Sequence, residues 1–187
     1  MRKEEIDLDE YMKIHDYEFE DDGTVHRRYI IDESIMKKRE MDIDNTSNLD
    51  EKVFPIMFVV LPSNSKGIII ENETTNETIR LDGGTERKEY LIDCGEKRIL
   101  DCTEKTIATI FNYKKSFQPS ETIKEYDVTD LYNGEFISCI KGRNKLTVTN
   151  LAEKRAHIVI YFLIRYDKKG FVERLRTKGI NIKPIKD

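Results

Sequence analysis

From Met41 to Tyr166 the apolar residues fall in short runs broken by polar turns, a rhythm too tight for helices and right for strands. Gly67 to Leu100 shows it most plainly. Ile68–Ile70, Glu77–Leu81, Glu89–Asp93 and Arg98–Leu100 read as strands, and Asn72–Asn76, Asp82-Gly83-Gly84 and Cys94-Gly95-Glu96 read as the turns between them. Gly, Asn and Asp supply the positive φ that hairpin turns require. Met41–Ile43 is a further short strand, followed by a turn at Asn45–Asn48. Phe54–Leu61 is a continuous apolar run ending at Pro62, and reads as a buried strand that tolerates Pro55 near its start. Phe136–Ile140, Leu146–Thr149 and Ala156–Tyr166 complete the set, with turns at Lys141–Asn144 and Asn150–Lys154. In Ala156–Tyr166 both faces are largely apolar, which predicts a place in the centre of a sheet or a second buried contact. Strand lengths and turn spacing together predict an all-β antiparallel sandwich.

Two regions resist this rhythm. Thr106–Phe111, within Thr103–Tyr113, fits a helical turn or a strand, with strand or irregular connection favoured by the sandwich. Lys114–Val128 reads as a long polar loop. The ends differ again. Residues 1–37 carry alternating acidic and apolar positions (Asp7–Tyr11, Tyr17–Glu20), a turn signal at Asp21-Asp22-Gly23 and a β-rich Thr24–Ile31. They predict a charged leader and a hairpin of Asp16–Glu20 with Thr24–Ile31. A lone hairpin is marginal in water, so this arm is expected to dock on the main domain or on a neighbouring subunit. Gly170–Asp187 is basic and thinly apolar, a tail or short helix expected outside the core. The division is thus arm 1–37, sandwich 38–168 and tail 169–187.

Composition narrows the function classes. At 187 residues the chain suffices for one domain with an appendage. It is 38% hydrophobic and 36% charged, with a net charge of −4 spread over both signs, so no basic face is offered to nucleic acid or to anionic membranes. No apolar run approaches the ~20 residues needed to span a bilayer. MRKEEIDLDEY places charges where a signal peptide has its apolar segment, so a soluble product made in the cytoplasm is expected. Cys94, Cys102 and Cys139 lack metal-type spacing and read as core-filling thiols, although Cys94 and Cys102 could pair in principle.

Catalytic patterns are thin. His15, His26 and His157 have no ligand spacing, the carboxylates form no isolated pair, and neither G-x-S-x-G nor a phosphate-cradling G-x-x-x-x-G-K-[ST] occurs. Asp82-Gly83-Gly84 lies between two strands and reads as a tight turn, not a metal or phosphate loop. Asn45-Thr-Ser47, Asn72-Glu-Thr74 and Asn76-Glu-Thr78 match the glycosylation pattern but read as turn residues. The expectation is a non-enzyme with no cofactor and no metal. Absence of Trp lowers the prospect of a broad sugar-binding face without removing it.

The succession of signals resembles the C-terminal, galectin-like β-sandwich of phage distal tail proteins (Dit). Ile43-Asp-Asn-Thr-Ser-Asn48 followed by Pro55-Ile-Met-Phe58 is similar to that family's N-x-G/S-N segment and its Pro-started strand. Ile68–Leu81 is similar to its I-x-I-x-N-x-T-T/G-x-x-I-x-L pair of strands. Lys88–Asp93 with Lys97–Leu100, the Ile140–Val148 turn and the final strand Ile158–Tyr166 follow in the same order. The resemblance covers about two-thirds of the chain, and its ring-forming N-terminal domain is here reduced to, or replaced by, residues 1–37.

What the resemblance implies is assembly: a galectin-like or jelly-roll sandwich in a virion, at the phage tail or baseplate. It would act as a homo-oligomeric ring of six or three copies joining the tail tube to the tip and contacting other tail proteins. Tyr11, Tyr17, Phe19 and Tyr29 in the arm and Phe171, Arg174 and Arg176 in the tail are the candidate interface residues, and deleting 1–37 is expected to leave a folded monomer. The alternative is a carbohydrate-binding module for host recognition, with a host glycan as partner.

Overall fold

The computed structural model describes residues 5–15, 17–20, 22–103, 127–132 and 134–184. The readings of Thr106–Phe111 and of most of Lys114–Val128 therefore lie outside the described residues. The chain is all-β in character and gathers into two compact units. One comprises Ile30–Asn45 and Lys52–Phe162; the other comprises Met1–Tyr29, Thr46–Glu51 and Leu163–Asp187.

The larger unit is the sandwich. One of its sheets runs β2 (Thr24–Ile35), β12 (Ala156–Asp167), β5 (Ile56–Leu61), β8 (Lys88–Asp93) and β9 (Arg98–Asp101). The other runs β3 (Lys38–Asn45), β11 (Gly142–Asn150), β6 (Ile68–Asn72) and β7 (Glu77–Leu81), every neighbour antiparallel. Two short strands, β4 (Lys52–Val53) and β10 (Cys139–Ile140), pair apart from both. Alternation explains the core: Met41 and Ile43 of β3, Ile68 and Ile70 of β6, Ile79 and Leu81 of β7, and Leu146 and Val148 of β11 point inward. They meet Met57, Val59 and Leu61 of β5 and Ile158, Ile160 and Phe162 of β12.

The unbroken apolar run of β5 has a physical reason. Ile56 and Phe58 face away from that core into a second cluster with Leu91, Leu100 and Cys102, which Val60, Val159 and Tyr161 flank. Both faces of β5 and β12 are thus packed, as the double-sided pattern of Ala156–Tyr166 predicts. Cys94 belongs to the first cluster and Cys102 to the second; all three thiols are free and buried.

Several boundaries move. β2 extends to Ile35, which is 2% exposed in the sandwich core, with Ile31 packed against it. Residues 30–37 are therefore sandwich, not arm, and removing 1–37 would strip a strand from the core instead of freeing a folded monomer. Phe136–Ile140 is a strand only at its last two residues. The rest is extended chain held by side chains, because the Ser138 backbone meets Glu77 and Asn72 where a ladder partner would be. At the Asp82-Gly83-Gly84 turn, a Cβ on Gly83 would lie 2.2 Å from the Ser65 carbonyl oxygen, so that position admits only Gly.

In the smaller unit the two ends of the described chain fold together. Helix α1 (Leu8–Ile14) is capped by Asp7, whose Oδ1 accepts the Asp9 N–H at 3.0 Å. β1 (Tyr17–Phe19) pairs with β2 as the expected hairpin, Tyr17 opposite Arg27. Helix α2 (Lys168–Thr177) is capped by Asp167, which accepts the Gly170 N–H at 2.8 Å. Ile6 and Ile182 form a parallel bridge. Leu8, Met12, Val25, Ile164, Tyr166, Phe171, Val172 and Leu175 make a second core. The C-terminal segment is therefore not outside a core: Phe171, Val172 and Leu175, one stripe of α2, help to form one.

Candidate functional site

Four of the seven candidate interface residues come together in the smaller unit. Tyr17 on β1 lies 4.7 Å, centroid to centroid, from Phe171 on α2 and 6.3 Å from Tyr166 at the end of β12. Tyr11 on α1 stacks on Tyr17 at 6.5 Å and carries His15 on its far side at 4.3 Å. The result is a ladder of rings running from the core outward, with Phe171 and Tyr166 buried, Tyr11 and Tyr17 half-buried and His15 exposed. Two guanidinium groups sit over its rings, Arg27 above Tyr17 at 5.4 Å and Arg174 above Tyr166 at 5.6 Å. Each such contact contributes ~0.5–1 kcal/mol at an exposed site. Burial pushes the Tyr11 and Tyr166 phenols up, with Tyr17 adding to both and the nearby arginines opposing.

The loop 46–51 fixes the inner end of the ladder. The Thr46 hydroxyl hydrogen-bonds the Tyr166 phenol, and Arg174 donates to the Thr46 carbonyl at 2.9 Å. Ser47 donates to the Arg165 carbonyl, and Asp50 takes the Arg165 guanidinium in two hydrogen bonds. Asn48 accepts the Asp167 N–H at 3.0 Å and donates to its carboxylate, so the cap of α2 is itself held. A Cβ on Gly170 would collide with that Asn48 amide.

Three candidates remain. Phe19 occupies the end of β1, opposite Val25. Tyr29 is 38% exposed on β2, and Arg176 is exposed on α2. Phe171, at 1% exposure, serves the core of its own unit and offers no surface to a neighbour. Tyr166, Arg27 and Thr46 were not singled out by the sequence; Tyr166 reads as one more residue of a long strand, and the only pointer to Arg27 is its place opposite Tyr17 in the hairpin.

The larger unit carries a polar cleft of about 470 Å³ lined by Glu96, Lys97, Arg98, Asp127, Thr129 and Asp130. Arg98 pairs with Asp127 at 3.4 Å, and Asp127 accepts from the Thr129 N–H and hydroxyl, so two of the cleft's five charged groups neutralise each other. Among the described residues no group of three or more His, Cys, Asp or Glu could hold a metal ion. His157 meets Asp32 at 2.9 Å, while His26 lies 2.7 Å from the Thr24 hydroxyl and 3.4 Å from Glu20. Burial pushes the Cys139 thiol up to about 12 and the Cys94 thiol higher still, which leaves both as core side chains with no nucleophilic character.

The chain matches no family model, and no match is found among curated proteins or among solved structures.

Proposed function

We propose that this protein is a structural adaptor of a phage tail or a related injection machine. Copies assemble into a ring or collar that joins the tail tube to the tip or baseplate, and the sandwich is of the galectin-like kind. It works by assembly and needs no chemistry of its own. The observation that carries the reading is the ladder of half-buried Tyr11 and Tyr17 beneath Arg27. Tyr and Arg are the residues on which protein interfaces concentrate their energy, and here they rest on a rigid aromatic floor. The ordered run of strand and turn motifs from Ile43 to Tyr166 supports the same reading.

The test is the mass of the purified protein in solution by light scattering, for the wild type and for Arg27→Glu and Tyr11→Ala. The expected wild-type mass is a multiple of the 22.1 kDa chain, and each variant, melting as the wild type does, returns to a single chain. A wild type that stays monomeric at every concentration, alone and mixed with tail-tube protein, overturns the proposal.

A further inference from the structure

The sandwich closes two of its sheet edges from within. At β9, Asp127 bridges Leu100, and the Val128 N–H donates to the Ile99 carbonyl at 2.9 Å. At β7, the Glu135 N–H donates to the Thr78 carbonyl at 3.2 Å. Among the described residues β3 has no such cover. It pairs with β11 along one side only, and the register decides which of its backbone groups are free.

The Asn150 N–H donates to the Lys37 carbonyl at 2.7 Å, which makes Lys37 and Asn150 a mutually hydrogen-bonded pair. Antiparallel pairing repeats that relation every second residue. Arg39, Met41 and Ile43 thus direct N–H and C=O toward β11. Lys38, Glu40, Asp42 and Asp44 direct theirs outward, where no partner exists among the described residues. The other side of β11 agrees: the Glu73 N–H donates to Lys145, so the odd residues of β11 serve β6 and its even residues serve β3.

The side chains of those four residues define what can pair there. On its inner side β3 already has Lys145 opposite Asp42 and Arg143 opposite Asp44, with Thr147 opposite Glu40. Lys145 also reaches Glu40 at 3.4 Å, and Arg143 reaches Asp42 at 2.6 Å, while Asp44 has no ion pair among the described residues. A second copy of β3 fits poorly across its acidic half, Glu40 to Asp44. Two-fold antiparallel pairing centred on Asp42 sets Asp42 against Asp42 and Glu40 against Asp44, and pairing centred on Met41 sets Glu40 against Asp42. Like charges directly opposite one another are destabilising.

We infer that β3 is a strand-addition edge for an extended, basic segment of another polypeptide, one that sets Lys or Arg opposite Asp42 and Asp44 as β11 does. Main-chain hydrogen bonds to Glu40, Asp42 and Asp44 supply affinity, and the acidic side chains disfavour acidic strands and self-pairing across Glu40 to Asp44. The site lies wholly within the sandwich and does not depend on the ring reading.

The experiment is residue-resolved amide hydrogen exchange on the full chain, with a short synthetic peptide alternating Lys and Val as the probe. In the free protein the amides of Met41 and Ile43 exchange slowly and those of Glu40, Asp42 and Asp44 fast. With the peptide, the latter three slow by about tenfold or more, and a peptide alternating Glu and Val has no effect. Asp42→Pro removes one outward N–H without touching the β11 ladder, so that variant keeps the protection of Met41 and Ile43 but loses the peptide effect. In Asp42→Lys with Asp44→Lys the preference passes to the Glu peptide. Saturating Lys peptide that leaves the three amides unprotected overturns the inference, as does equal protection by both peptides.

Discussion

Asn72 and Asn144 stand side by side inside the sandwich, the Asn72 amide nitrogen 3.4 Å from the Asn144 side-chain oxygen, and neither residue is exposed at all. Between them they hold the chain from Ser138 to Ile140. Asn72 donates to the Ser138 carbonyl at 2.6 Å, and Asn144 both accepts the Ile140 N–H at 3.0 Å and donates to its carbonyl at 2.7 Å. Glu77 takes the Ser138 N–H and hydroxyl. A strand ladder would have satisfied these groups; here asparagine and glutamate side chains do, because only two residues of the segment find a β partner.

Asn144→Leu should therefore destabilise the sandwich by about 2–4 kcal/mol, since it takes the side-chain partner from two part-buried backbone groups of Ile140 and supplies none in exchange. Asn72→Leu should cost less, as one carbonyl loses its donor. The double variant should fall short of the sum, because both residues serve one segment. Urea titration followed by far-UV circular dichroism measures all three.

Phe171→Ala should cost about 3–5 kcal/mol, the usual penalty for emptying a fully buried aromatic site. It removes the floor on which Tyr17 and Tyr166 rest, so the near-UV dichroism of the tyrosines should collapse together with stability. Arg176→Ala, on the exposed side of the same helix, should leave both within about 0.5 kcal/mol of the wild type.

Lys97 adopts a left-handed conformation at φ 53° in the turn between β8 and β9. Its Cβ makes that backbone unfavourable, whereas glycine adopts it freely. Lys97→Gly should raise stability by several tenths to about 1 kcal/mol, after the added freedom of the unfolded chain is counted. Thermal melting checks it, and an unchanged or lower midpoint would contradict the stated cause.

Asp101 supplies a pH dependence. Burial pushes its carboxyl up, but hydrogen bonds from the Thr103 hydroxyl and N–H and from Lys88 outweigh this and hold it below the ordinary aspartate value of 3.8. The folded carboxyl thus titrates lower than the unfolded one. Its ionised form contributes stability in full above the unfolded value, and the contribution is lost as pH falls through the folded value. The stability gap between wild type and Asp101→Asn should be constant near neutrality and shrink steadily below about pH 4.

Much of the sandwich is legible from alternation alone, because in β3, β6, β7 and β11 the inward apolar residues are buried and most of the charged residues lie on the opposite face. β5 and β12 announce their double burial through unbroken apolar runs. The smaller unit is hidden for the opposite reason. Its helix α1 contributes only Leu8 and Met12 to a core, too few for a visible stripe, and its flanking acids mimic the alternation of a strand. Its core is assembled from segments at opposite ends of the sequence, so no local window holds the pattern. The aromatic ladder was half visible: Tyr11, Tyr17, Phe171 and Arg174 stand out as large side chains in sparse surroundings. Their convergence, and the part of Tyr166 and Arg27, depend on the pairing of the hairpin and on the turn from β12 into α2.

The bridge between Ile6 and Ile182 bears on how the molecule is made. On the ribosome, α1 emerges long before α2 exists, so its apolar residues must wait while the whole sandwich is translated. The sandwich can close once β12 has emerged, whereas the smaller unit must wait for α2 as well. Its completion thus reports that the intervening chain has been delivered intact. A polypeptide broken off anywhere before Phe171 would leave Leu8, Met12 and Tyr17 uncovered, a marker on which quality-control proteases can act.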